Sequence, residues 1–98
     1  MLDYESLSDA DKRAVEEYED SKMKKIVHNN GPINSKNKDR IRQTLDENIS
    51  VCISVRSSLA IGITTITDKA YKQSVEKKFH DLELMELAYA RIKQKICC

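Results

Sequence analysis

The sequence contains little glycine and proline and few aromatic residues. Of its 98 residues, two are Gly, one is Pro, one is Phe and none is Trp. An all-β domain needs a turn every 8–12 residues or so, and Gly and Pro usually supply those turns. The composition therefore excludes a turn-rich all-β fold. The short length predicts a single domain over residues 1–98 with one small core.

The sequence also has no excess of one charge sign and no long uncharged apolar run. Seventeen basic and sixteen acidic residues give a net charge of +1, which predicts neither a nucleic-acid partner nor an acidic one. The most apolar stretch, residues 49–66, has Arg56 at its centre, which argues against a transmembrane helix. The first residues lack a secretory signal, and three cysteines make no disulfide framework, so we expect an intracellular, cytoplasmic protein.

The first predicted helix covers about residues 8–28. Ser8 is a good N-cap, and the acidic residues that follow it suit the positive end of the helix dipole. The helix is predicted to stop at the Asn-Asn-Gly-Pro sequence of residues 29–32, because Gly and Pro both end helices. We take residues 29–35 as a linker.

Two longer helices are predicted to follow, over about residues 36–65 and about residues 68–96. Asp68 starts the second of them as a capping residue. Because only a short turn separates these helices, they must run antiparallel. The predicted fold class is all-α: an antiparallel helical hairpin plus an N-terminal helix, forming a three-helix bundle that we expect to be oligomeric.

Both long helices carry apolar residues at alternating spacings of three and four, the heptad pattern of helix–helix contacts. Asn48 is a polar position in the first of these seams and would fix its register. We predict an interface composed of Ile41, Leu45, Asn48, Cys52, Val55, Leu59, Tyr71, Val75, Leu82, Met85, Tyr89 and Ile92.

Residues 49–66 have a second interpretation. Apolar and polar residues alternate there, which is typical of strands, so a β-hairpin within an α+β fold is the alternative. The supposed turn at residues 56–58 contains no Gly, Asn, Asp or Pro, which favours a helix. On a helix, residues two apart lie about 200° apart, so this segment would be apolar on two opposite faces. Covering both faces requires an oligomer or a larger assembly.

Charge is segregated along the chain although its total is balanced. Residues 1–20 contain eight acidic side chains, whereas residues 21–42 are strongly basic. We expect the acidic start to lie along the basic middle of the same chain or of a neighbour. An alternative is that the basic segment 22–42 binds nucleic acid, although aromatic residues are not interleaved there.

A second alternative is a small anion or nucleotide held between subunits and centred on Arg56. A lone arginine in an apolar segment must pair with an acid, reach solvent or bind an anion. The candidate anion-binding residues are Arg56, Lys22, Lys24, Lys25, Lys36, Arg40 and Arg42.

The sequence lacks patterns that would predict chemistry. Gly31 and Gly62 are isolated, so there is no Gly-rich phosphate loop, and Cys52 has no neighbouring histidine to activate it. His80 and Glu83 are spaced like half of a carboxylate–histidine metal site, but the central part of the first long helix offers no matching acids. We therefore predict no enzyme activity, no metal and no cofactor.

Cys97 and Cys98 follow three basic residues, Arg91, Lys93 and Lys95. This ending resembles the doubly prenylated end of Rab-type small GTPases, and the resemblance covers only these positions. It implies a membrane anchor if both cysteines are lipidated, and otherwise we expect no membrane partner.

These patterns together predict a non-enzymatic helical interaction protein. It would self-assemble, or act as a small subunit, adaptor or inhibitor in a larger complex, through coiled-coil-like seams.

Overall fold

Residues 2–97 fold into three α-helices. The computed structural model describes residues 2–97, except for the side chain of Cys97, and within that range it contains no strand. A 3-10 turn, Tyr4–Ser6, precedes α1 (Asp9–Asn30), α2 (Lys38–Ile63) and α3 (Lys69–Cys97). The predicted all-α fold class is confirmed. The β-hairpin alternative for residues 49–66 is wrong, because α2 runs unbroken to its end at Ile63.

Local capping sets three of the helix ends. The Ser8 hydroxyl accepts a hydrogen bond from the Asp11 backbone N–H (3.2 Å), and the Asp68 carboxylate accepts from the N–H of Ala70 (2.9 Å). Helix α1 ends at Gly31, whose φ of 74° is favourable for glycine. Ser8 and Asp68 start their helices, and Gly31 ends α1, for the reasons that the sequence suggests.

The start of α2 is set differently. The linker extends to Asn37, and α2 begins at Lys38 rather than at residue 36. The Asn34 side chain accepts hydrogen bonds from the backbone N–H groups of Lys36 (2.8 Å) and Asn37 (3.1 Å). This Asx turn holds residues 35–37 in a turn, so α2 begins only at Lys38.

The three helices run up, down and up. Helix α1 is parallel to α3, since Asp11 contacts His80 and Glu19 contacts Arg91 farther along both helices. Helix α2 is antiparallel to α3. Asp46 of α2 contacts Lys93 of α3, whereas Arg56, farther along α2, contacts Glu86, which lies earlier in α3. Most of the packing is of α1 and α2 against α3, which is the central helix.

The core consists of two clusters near one end of the bundle. One cluster joins all three helices, and the other joins α1 and α3 beneath the N-terminal residues. Their buried members are Ile26, Ile41, Leu45, Ile92 and Ile96 in the first, and Val15, Leu84, Leu87 and Ala88 in the second.

Beyond these clusters, α2 and α3 continue as a pair of helices. We call residues 51–83, which include the turn between the two helices, the arm. Cys52, at the base of the arm, is buried, and none of residues 53–83 is buried. The molecule measures 50 × 26 × 21 Å, and its radius of gyration of 15.3 Å exceeds the roughly 12.6 Å typical of a compact domain of this length.

Candidate functional site

The arm exposes large apolar side chains. On α2, Val51 is 60% exposed, Ile53 42%, Val55 40% and Ile61 73%, and on α3 Tyr71 is 61% exposed. Other apolar residues of the arm are partly exposed: Leu59, Ile63, Ile66, Val75, Phe79 and Leu82. Helix α3 covers only one side of α2, so the alternating apolar pattern leaves side chains in contact with water. An apolar surface of this extent is typical of an interaction site.

The predicted interface residues fall into three groups. Those nearest the core are buried within the chain and hold α2 against α3: Ile41, Leu45, Cys52 and Ile92. A middle group is half-buried: Asn48, Leu59, Val75, Leu82, Met85 and Tyr89. Val55 and Tyr71, both in the arm, are exposed. The part of the seams that remains open to a partner therefore lies in the arm.

Arg56 pairs with a buried acid. Its Nη2 donates a hydrogen bond to Glu86 Oε1 at 2.8 Å, and Glu86 is only 2% exposed. The guanidinium also lies 5.9 Å from the centre of the Phe79 ring. Of the three options open to a lone arginine in an apolar segment, the structure shows pairing with an acid, and this acid belongs to α3. Because Glu86 neutralises Arg56, the geometry does not favour an anion site there.

The other predicted anion-binding residues have surroundings of their own. Lys24 pairs with Asp20 (2.9 Å) and Arg42 with Asp39 (3.1 Å). The remaining four are distributed as follows: Arg40 bonds to Asn30, Lys22 lies over the Tyr89 ring, and Lys25 and Lys36 are exposed. Burial lowers the pKa of Lys22, and the charge of Lys25 lowers it further. These contacts do not form a shared phosphate site.

The acidic N-terminal helix pairs with α3. Glu19, 5% exposed, accepts hydrogen bonds from Arg91 and from Lys95 (2.7 Å), and Asp11 lies 2.9 Å from His80. The expectation that the acidic start lies along the basic middle is wrong for these residues. Because α1 runs parallel to α3, its acids lie beside the basic end of α3.

A groove of about 1200 Å³ lies on α3 between the N-terminal residues and α2. Its basic lining residues already have partners: Arg91 stacks on the Tyr4 ring at 3.7 Å, Lys93 pairs with Asp46 at 2.6 Å, and Lys95 pairs with Glu19 at 2.7 Å. The sequence pattern did not indicate this groove, because its floor and walls come from three separate segments. Its basic side chains are not free to bind a ligand.

Cys52 is the cysteine whose side chain the structure describes, and it is buried. Burial raises the pKa of the Cys52 thiol, and the charge of Glu86 raises it further, so the thiol is protonated at neutral pH. The side chain of Cys97 and all of Cys98, on which the membrane anchor implied by the resemblance would depend, lie outside the described residues. Among the described residues, no group of three or more His, Cys, Asp or Glu side chains could hold a metal ion.

Within residues 2–97, none of the helices combines the length and the apolar character needed to span a bilayer. Comparison of the chain with protein-family models, with curated proteins and with solved structures finds no match.

Proposed function

We propose that this chain is a non-enzymatic interaction protein that binds another protein through the arm, helix against helix. It would act in the cytoplasm, by self-assembly or as a small subunit, adaptor or inhibitor in a larger complex. One observation carries the proposal: residues 53–83 form two packed helices in which no residue is buried.

The energetics of the arm support this proposal. Complete burial of a Val, Leu or Ile side chain contributes about 1.5–3 kcal/mol. The exposed side chains of Val51, Ile53, Val55 and Ile61 gain little of this in the isolated chain. A helix packed on the arm would bury several of them together, as in other coiled-coil seams.

The charge distribution of the arm indicates the class of partner. Arg56 is the one charged residue of α2 within the arm, and Glu86 neutralises it. The α2 side of the arm therefore offers little to a phosphate or a nucleic acid, which bind free basic side chains. An apolar helical surface suits it better.

Site-specific photo-crosslinking in cells that express the protein tests the proposal. A photoreactive amino acid at Val51, in the arm, should form adducts with protein that map to this position. The matched control places the same amino acid at Gln43, which is exposed on the same helix outside the arm. Equal labelling at the two positions, or no protein adduct at Val51, would refute a binding role for the arm.

A further inference from the structure

We infer that the occupant of the arm is a second copy of this chain. Two arms would pack together about a two-fold axis and form a four-helix arrangement, with α2 of each copy at the centre. This inference rests on the proposed function and names its partner. A two-helix layer with both faces in water lacks a second layer, and an identical pair of helices supplies one.

The exposed area of the chain matches what a dimer needs. The chain exposes 6647 Å². A compact monomer of 11.3 kDa exposes roughly 5700 Å². The excess of about 900 Å² is close to the ~800 Å² that each partner buries in a standard protein–protein interface. Pairing of the arms would thus bring the exposed area near the usual value for a folded chain.

The charges of the arm favour an identical partner over a strongly charged one. Its five basic residues are Arg56, Lys69, Lys72, Lys77 and Lys78, and its four acidic residues are Asp68, Glu76, Asp81 and Glu83. Each arm has a net charge of +1 when His80 is counted as neutral, so two arms do not repel each other strongly. All of these charges except Arg56 lie on α3 or in the turn before it, so the uncharged surface of α2 is the part that suits the centre of an interface.

One row of α2 is the best candidate for the contact with its two-fold mate. Val51 and Val55 are one helical turn apart, so their side chains are neighbours on one face, and Leu59 continues the row. Ile53 and Ile61 are separated by Ser57 at the intervening turn. The continuous row therefore places Val51 and Val55 in the isologous interface, where each substitution changes both copies.

The test is the molar mass of the purified full chain by light scattering on a sizing column, over a roughly hundredfold range of concentration. The wild type should approach twice the 11.3 kDa chain mass at high concentration and fall towards 11.3 kDa on dilution. Val51→Lys combined with Val55→Lys should raise the dimer dissociation constant at least about tenfold, since it places charges at the interface centre. Circular dichroism checks that the helices persist.

Val27→Lys is the matched control. Val27 is 43% exposed on α1, outside the arm, and the same substitution there should leave the dimer intact. A wild-type chain that is monomeric at every concentration would overturn the inference, as would a dimer that the double variant leaves unchanged or that Val27→Lys also dissociates. A monomer whose arm still forms mapped adducts with a different protein would refute the second copy alone, whereas absence of adducts would refute the proposed function itself.

Discussion

Two buried carboxylates connect the helices of this protein at the level of single residues. Glu19 of α1 accepts hydrogen bonds from Arg91 and Lys95 of α3, and Glu86 of α3 accepts one from Arg56 of α2. An unpaired carboxylate is costly to bury, so each acid strongly disfavours arrangements in which its cation is elsewhere. The two sets of ion pairs thereby specify which faces of α1 and α2 meet α3.

Replacing Glu19 by Gln should lower the free energy of unfolding by about 1–3 kcal/mol. The substitution leaves Arg91 and Lys95 without their carboxylate, and the partial exposure of these two cations keeps the loss moderate. Urea denaturation followed by circular dichroism measures the change.

The adjacent substitution Asp20→Asn is its matched control. Asp20 pairs with Lys24, and both side chains are largely exposed, so its loss should cost less than about 0.5 kcal/mol. Equal effects of the two variants would show that the Glu19 contacts do not stabilise the fold.

The linker between α1 and α2 shows how the helices are joined. Asn37 is 7% exposed, and its side chain accepts a hydrogen bond from the Asn34 N–H (2.9 Å). It also donates to the carbonyl oxygens of Asn30 (3.1 Å) and Pro32 (3.1 Å). Asn37 therefore satisfies backbone groups at the end of α1 and in the linker, and it fixes the path of the chain into α2.

Asn37→Ala should destabilise the protein by about 2–3 kcal/mol, because buried backbone groups lose their partners. The same substitution at Asn29, which is exposed in the last turn of α1, should cost less than about 0.5 kcal/mol. Thermal unfolding of the two variants distinguishes them, and a similar melting temperature for both would contradict a structural role for Asn37.

The molecule as a whole is unevenly stabilised. Its two buried clusters lie near one end, whereas residues 53–83 contain no buried side chain. Free energy of packing is thus concentrated in the bundle, and the arm depends on contacts between only two helices. A segment with so little burial is expected to open more readily than the core.

Leu45→Ala and Leu59→Ala test this imbalance on the same helix. Leu45 is fully buried, so its truncation should cost about 2–5 kcal/mol. Leu59 is half-buried in the arm, and its loss should cost less than about 1.5 kcal/mol. The free energies of unfolding are compared in dilute solution, where association does not contribute. A larger loss for Leu59→Ala would mean that the arm, rather than the bundle, dominates stability.

Local interactions made the helices predictable from the sequence. Ser8, Gly31 and Asp68 act on backbone groups within four residues of themselves, so their effects do not depend on the rest of the fold. The apolar spacing of α2 and α3 likewise reports the period of a helix directly. The same spacing could not show which part of each seam is buried within the chain. That depends on α1, which covers one end of the hairpin and not the other.

Backbone capping and periodicity account for the all-α class, the antiparallel hairpin and the approximate helix ends, so these features were predictable without knowledge of the packing. The packing of the three helices decided that Arg56 meets Glu86, thirty residues away, and that Glu19 meets the end of α3. It also decided that the apolar surface of the arm stays exposed. Such pairings depend on the axial position of one helix relative to its neighbour, and the packing of all three helices together sets that position.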